Sequence, residues 1–163
     1  SIKAIVGFVT AIIVSKTINA SNLTFILNTG IFILSINSIN LFDLRPGRAI
    51  KYFLLNISVV IAFLGMTQHT IWIFSLLGIL FHYAPLDFSS KVMLGDTGSN
   101  LLGFILGYYL VLVPSNSFKY FALGLLVLIQ WYSEKNSISK LICQVKFLYF
   151  LDLLGRSKHN GSP

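Results

Sequence analysis

Asn37, Asn40 and Asp43 recur at three-residue intervals, and Arg45, Arg48 and Lys51 follow at once, in the stretch NSINLFDLRPGRAIK. On a helix that spacing places the two amides and the carboxylate on one side. A carboxylate set among bases can bind a divalent cation while the bases hold phosphate groups. The plainer alternative is that Asp43 pairs with Arg45 or Arg48 and the bases face lipid headgroups. Asn37 has its own plain alternative, a hydrogen bond to a neighbouring helix, which is the usual work of Asn in an apolar helix.

A second stretch, KVMLGDTGSNLLG at Lys91–Gly103, carries another isolated carboxylate. Its two glycines, Gly95 and Gly98, let backbone approach a ligand closely. Asp96, Thr97 and Ser99 immediately precede an apolar run, so one of them is expected to cap the N-terminus of a helix there. Helix N-termini attract phosphate. Carboxylate oxygens suit Mg²⁺, which is commonly shared between one or two carboxylates and substrate phosphates. The chain has only five acidic residues in all, and Asp43 and Asp96 are two of them. Both stand at the ends of long apolar runs, where a charge is costly without a partner and is a functional candidate by default.

The elements that must position these residues are those apolar runs. Of 163 residues, 55% are hydrophobic and 10% charged, and the mean hydropathy is +0.80. Soluble domains carry about 25% charged residues, so the composition predicts an all-α, polytopic transmembrane helix bundle. A membrane-spanning helix needs about 20 mostly apolar residues, and six runs approach that: 2–18, 23–42, 52–68, 70–86, 100–114 and 119–132. No linker or repeat divides them, which predicts one domain over 1–163, with 133–163 a cytoplasmic tail containing an interfacial helix. The first run lacks a small-x-small cleavage site and reads as a retained span rather than a signal peptide.

The net charge of +7 does not indicate nucleic acid, because the basic residues are scattered singly among apolar runs rather than clustered on one soluble face. A single cysteine, Cys143, excludes an internal disulfide, and three scattered histidines offer no zinc spacing. With a cytoplasmic N-terminus, six spans put Lys3, Arg45, Arg48, Lys51, Lys91, Lys135, Lys140, Lys146, Arg156 and Lys158 on one side. Only Lys16 and Lys119 fall on the other. Basic residues mark the cytoplasmic side, so Asp43 and Asp96 are both expected to face the cytoplasm.

Taken together, the two stretches resemble the polyprenyl-phosphate N-acetylhexosamine-1-phosphate transferases, the superfamily of the bacterial phospho-N-acetylmuramoyl-pentapeptide transferase. Its members carry N-x-x-N-x-x-D-G-x-D-G, then F-N-x-x-P-A, then F-M-G-D-x-G-S-x-x-L-G. Asn37, Asn40 and Asp43 match the first; Met93 to Ser99 with Leu102 and Gly103 match the last. The departures are specific. Asp43-Leu44-Arg45-Pro46-Gly47 has Pro46 in place of the second acid, and Phe81-His82-Tyr83-Ala84-Pro85-Leu86 has His82 in place of the asparagine. Only His159 stands where many members have a histidine-rich loop. The chain looks like the C-terminal part of such an enzyme, or a shortened relative, since members have an earlier Asp-Asp pair.

The resemblance implies a bacterial, multi-pass cell-membrane protein with its active face cytoplasmic. It implies transfer of a sugar-1-phosphate from a UDP-sugar to polyprenyl phosphate in cell-envelope synthesis, with Mg²⁺ as cofactor. Asp43 and Asp96 then take the catalytic positions, Asp96 as the metal ligand. Asn37 and Asn40 then belong to the substrate pocket, Asn40 orienting Asp43, and His82 can contact the nucleotide or make a local hydrogen bond at its helix end. Charge and position alone, not the resemblance, make Arg45, Arg48 and Lys51 candidate phosphate contacts. Transfer by the isolated chain is not expected, and the alternatives are a non-catalytic membrane scaffold or a small transporter-like protein. A homodimer is left open. Lys91 is expected to snorkel to lipid, and Asp87 to face solvent beside Ser89.

Overall fold

The computed structural model describes residues 2–17, 22–65 and 67–154, with side chains from Val9 onward and that of Gln68 excepted. Its regular structure is α-helical throughout: α1 (Ile2–Thr17), α2 (Asn22–Phe42), α3 (Arg48–Leu64), α4 (Gln68–Phe88), α5 (Gly95–Leu112), α6 (Asn116–Lys135), α7 (Ile138–Gln144) and α8 (Lys146–Leu153). Two of them, α2 and the His69–Phe88 part of α4, are long and apolar enough to cross a membrane. Arg156, Lys158 and His159 lie outside the described residues, as does Ile18 at the end of the first expected span.

Helix α2 is the hub. It packs most extensively on α5 and also touches α6, α1 and α3. Its buried face carries Leu27, Ile31, Phe32, Ser35 and Ile39, which meet Leu102, Leu106, Tyr109 and Leu110 of α5 and Phe53 and Ile57 of α3 in one apolar cluster. The α2–α5 approach depends on missing side chains. A Cβ on Gly103 would lie 2.5 Å from the Ile36 Cα and 2.8 Å from the Ser35 carbonyl oxygen. One turn on, a Cβ on Gly107 would lie 3.1 Å from the Phe32 Cα. Small residues four apart let two helix backbones come this close, and such seams are favoured where lipid removes any hydrophobic drive between helices.

The outer surface is apolar as well. On α4, Trp72 is 75% and Phe81 86% exposed, with Ile71 and Ile79 beside them; on α6, Phe121, Leu128 and Trp131 project outward. Soluble monomers rarely expose large contiguous apolar patches.

The expected spans shift at their ends in an instructive way. Helix α3 starts at Arg48 rather than Tyr52, and α5 at Gly95 rather than Asn100, so both polar stretches run into helices rather than ending in loops. The described part of the expected tail, to Leu154, forms α7 and α8, whose Ser139 and Asp152 bond Arg48 at the start of α3.

Candidate functional site

The C-terminal ends of α2 and α4 and the N-terminal ends of α3 and α5 meet at one end of the bundle. Each turn there follows from local chemistry. Between α2 and α3, Asp43–Gly47 turns on Gly47, whose φ of +81° favours glycine. A Cβ there would also collide with the Phe88 ring at 2.7 Å. Helix α4 closes with Ser90 in the left-handed region at φ 59°. Its Ser90 amide donates to the Asp87 carbonyl at 2.9 Å and the Lys91 amide to the Leu86 carbonyl at 3.1 Å. That is the paired bonding that ends a helix and sends the chain away.

The two stretches are stitched to each other through Asn40. Its side-chain amide donates to Asn100 Oδ1, and its carbonyl oxygen accepts from the Ser99 hydroxyl. Both ends of Asn40 are thus committed to α5. Asn37 donates to Gln130 of α6, the helix-to-helix alternative raised by its residue type. In turn Gln130 donates to Glu134 at 3.3 Å.

Carboxylates from elsewhere in the fold meet the starts of two helices. Leu94, which precedes α5, supplies no side-chain cap, and the Gly95 amide favours the charged form of the Asp43 carboxylate. Asp96, Thr97 and Ser99, the expected local caps, lie inside α5, which begins at Gly95. Asp96 sits exposed in the first turn of α5, where a negative charge complements the helix dipole. At α3, the Gly47 amide donates to Asp87 Oδ2 at 2.7 Å. Asp87 does not face solvent as expected: it is 2% exposed, turned inward to accept from the amide of Gly47, the residue just before α3. Its other oxygen, Oδ1, is buried and makes no hydrogen bond.

Three carboxylates therefore share one field. Burial pushes the Asp43 carboxyl above its ordinary value; the negative charge of Asp87 adds to this, the Gly95 amide opposes it, and the charge of Asp96 adds again. Desolvation and like charge both disfavour an ionised acid. A cation placed among these groups relieves both.

The bases divide into two sets. Arg45 is exposed beside Asp43. Arg48, by contrast, is 4% exposed, and its guanidinium is held by Asp152 and Ser139. Lys51 donates to the carbonyls of Leu151 and Asp152. Arg48 and Lys51 thus hold the C-terminal helices, which leaves Arg45 as the base facing water at the carboxylates. His82 is exposed on α4, one to two turns from Asp87. Asp152 had no place in the sequence reading. Its signal was present nonetheless: one acid inside the apolar run KFLYFLDLL requires a partner.

The donors suit a hard divalent ion that shares its shell with phosphate, being carboxylate oxygens with one buried oxygen unbonded. They do not form a cage by themselves: among the described residues no three His, Cys, Asp or Glu side chains are arranged to hold a metal ion. Comparison with protein-family models, with curated proteins and with solved structures returns no match for this chain.

Proposed function

We propose that this chain is a multi-pass membrane protein of six spans, α1 to α6, and that its carboxylate-bearing end is a cytoplasmic site for phosphoryl transfer. The reaction class is that of the superfamily its motifs resemble. A UDP-sugar gives up its sugar-1-phosphate to a polyprenyl phosphate; a new P–O–P bond forms to the lipid, the old diphosphate bond breaks, and UMP leaves. The observation that supports this best is the convergence of Asp43 and Asp96, which are 53 residues apart in sequence, through Asn40, Ser99 and Asn100.

Both reactants are anionic, so the site must offset charge and hold geometry rather than supply covalent chemistry. Asp96, exposed at the mouth, and Asp43, half-buried behind it, are the residues that would hold Mg²⁺. That ion supplies neutralisation of the diphosphate. The N-terminal ends of α3 and α5 add positive dipole at the same place, and Arg45 adds a full charge facing water. Asn40 and Ser99 fix the separation of the two carboxylate-bearing elements, and His82 stands where it can meet the nucleotide.

A second reading has its own observation. Asp87 holds the Gly47 amide before α3 and Asp43 interacts with the Gly95 amide, contacts that a non-catalytic scaffold would also require. The two readings part at Asp96, whose exposed carboxylate is a metal ligand in the first and a charge complementing the α5 dipole in the second. In the protein as its gene encodes it, Asp96→Asn is expected to abolish transfer of radiolabelled sugar-1-phosphate to undecaprenyl phosphate. Membrane insertion should be unchanged. Transfer that persists in Asp96→Asn at limiting Mg²⁺ leaves only the scaffold.

A further inference from the structure

Helix α8 is eight residues long, and the one side chain it buries is a carboxylate, Asp152. Its apolar residues Phe147, Phe150 and Leu153 are exposed, and Leu148 and Leu151 are only half-buried. The specific anchors of this helix are therefore charge and hydrogen bonding. Arg48 Nε donates to Asp152 Oδ1 at 2.5 Å and its terminal nitrogen to Oδ2 at 3.0 Å, the two-pronged geometry in which arginine binds carboxylate most specifically. The remaining guanidinium nitrogen donates to Ser139 of α7 at 2.8 Å. One turn along α3, Lys51 donates to the main-chain carbonyls of Leu151 and Asp152 at 3.0 and 2.8 Å. Cations at a helix C-terminus satisfy carbonyls that have no partner in the helix. The same ammonium lies 5.2 Å from the centre of the Phe88 ring.

These contacts end at the candidate site. Arg48 follows Gly47, whose amide is held by Asp87, and the Arg48 amide closes the turn on the Arg45 carbonyl at 3.3 Å. That turn carries Asp43. We propose that Asp152 is a positioning residue: by clamping Arg48 from α8 it fixes the Asp43–Gly47 turn, and so sets where Asp43 stands relative to Asp96. This rests on the reading of Asp43 and Asp96 as the site, but the clamp itself is testable without it.

The experiment is hydrogen exchange, read by mass spectrometry, on the whole protein in lipid nanodiscs. In Asp152→Asn, which keeps the shape and removes the charge, exchange over residues 43–51 should rise about a hundredfold, the scale on which breaking a buried ion pair opens a local segment. Exchange over 102–110 in α5 should not move, and Asp152→Glu should restore most of the protection. Unchanged exchange over 43–51 overturns the proposal. So does an equal rise over 102–110, which would make Asp152 a general stabiliser rather than a clamp on one turn. Should Asp152→Asn fail to insert, Arg48→Lys carries the same test, since it keeps the charge and loses the fork. In the transfer assay Asp152→Asn should lower kcat with little change in KM for the UDP-sugar. A wild type without transfer activity counts against the proposed function and leaves the exchange result to decide the clamp.

Discussion

At the scale of single residues, Asp43 interacts with the start of α5, and the chemical role proposed for it can be separated from that by pH. Its folded-state carboxyl titrates above the ordinary value, because it is buried and faces Asp87 and Asp96. The sign follows from linkage: stability is fully present below the ordinary carboxylate pKa and is lost as pH rises through the raised value in the fold. Asp43→Asn keeps an oxygen for the Gly95 amide and removes the charge. Thermal unfolding of this variant, followed from acid to neutral pH, should show a flatter profile and a neutral-pH stability at or above that of wild type, while transfer is lost. Loss of stability at neutral pH would mean that Asp43 is chiefly a cap, worth about 0.5–2 kcal/mol. Residue type and spacing made Asn37, Asn40, Asp43 and Asp96 legible in sequence. Asp87 was not, because its partner is a backbone amide 40 residues away, and no pattern of side chains encodes that.

At the scale of elements, the site depends on how closely α2 and α5 approach. Gly103→Ala places a methyl group 2.5 Å from the Ile36 Cα, a contact that only separation of the helices relieves. A cost of about 1–3 kcal/mol is expected, as for other overpacked interfaces. Gly107→Ala should cost less, since its closest backbone contact, the Phe32 Cα, is 3.1 Å away and the Phe32 ring at 3.0 Å can shift. Gly124, with nothing within 4 Å of its Cβ position, is the control; Ala there should be neutral or stabilising by up to about 1 kcal/mol. Unfolding midpoints in detergent check the order. An equal effect at all three glycines would contradict a close α2–α5 seam. Apolar run length revealed the helices, but not where they start. Arg48 and Gly95 open α3 and α5 where Asp87 and Asp43 meet backbone amides from across the bundle, and a reading that moves along one segment cannot see a partner supplied by another.

At the scale of the molecule, acids are confined to one end. Asp43, Asp87 and Asp96 share a field there, Asp152 pairs with Arg48, and Glu134 accepts from Gln130. Together these are all five acids of the chain. The proposed topology puts that end in the cytoplasm, so reporter fusions after Lys16 and after Pro114 should map outside, and a fusion within Arg45–Lys51 inside; the reverse pattern removes the site from its nucleotide substrate. Composition alone made the helical class legible, whereas the folding back of α7 and α8 was not, since it depends on bonds from Arg48 and Lys51 to residues far along the chain. The proposed function requires this end to bind a nucleoside diphosphate sugar together with a divalent ion. A ligand that binds only the folded state raises the unfolding temperature in proportion to the logarithm of its concentration over Kd. The most direct measurement is therefore thermal unfolding of the protein in nanodiscs with UDP-N-acetylglucosamine or its muramyl-pentapeptide counterpart, with and without Mg²⁺. A shift is expected in wild type only when nucleotide sugar and Mg²⁺ are both present, and none in Asp96→Asn. A shift of the same size in Asp96→Asn, or none in wild type with either sugar, would contradict the account.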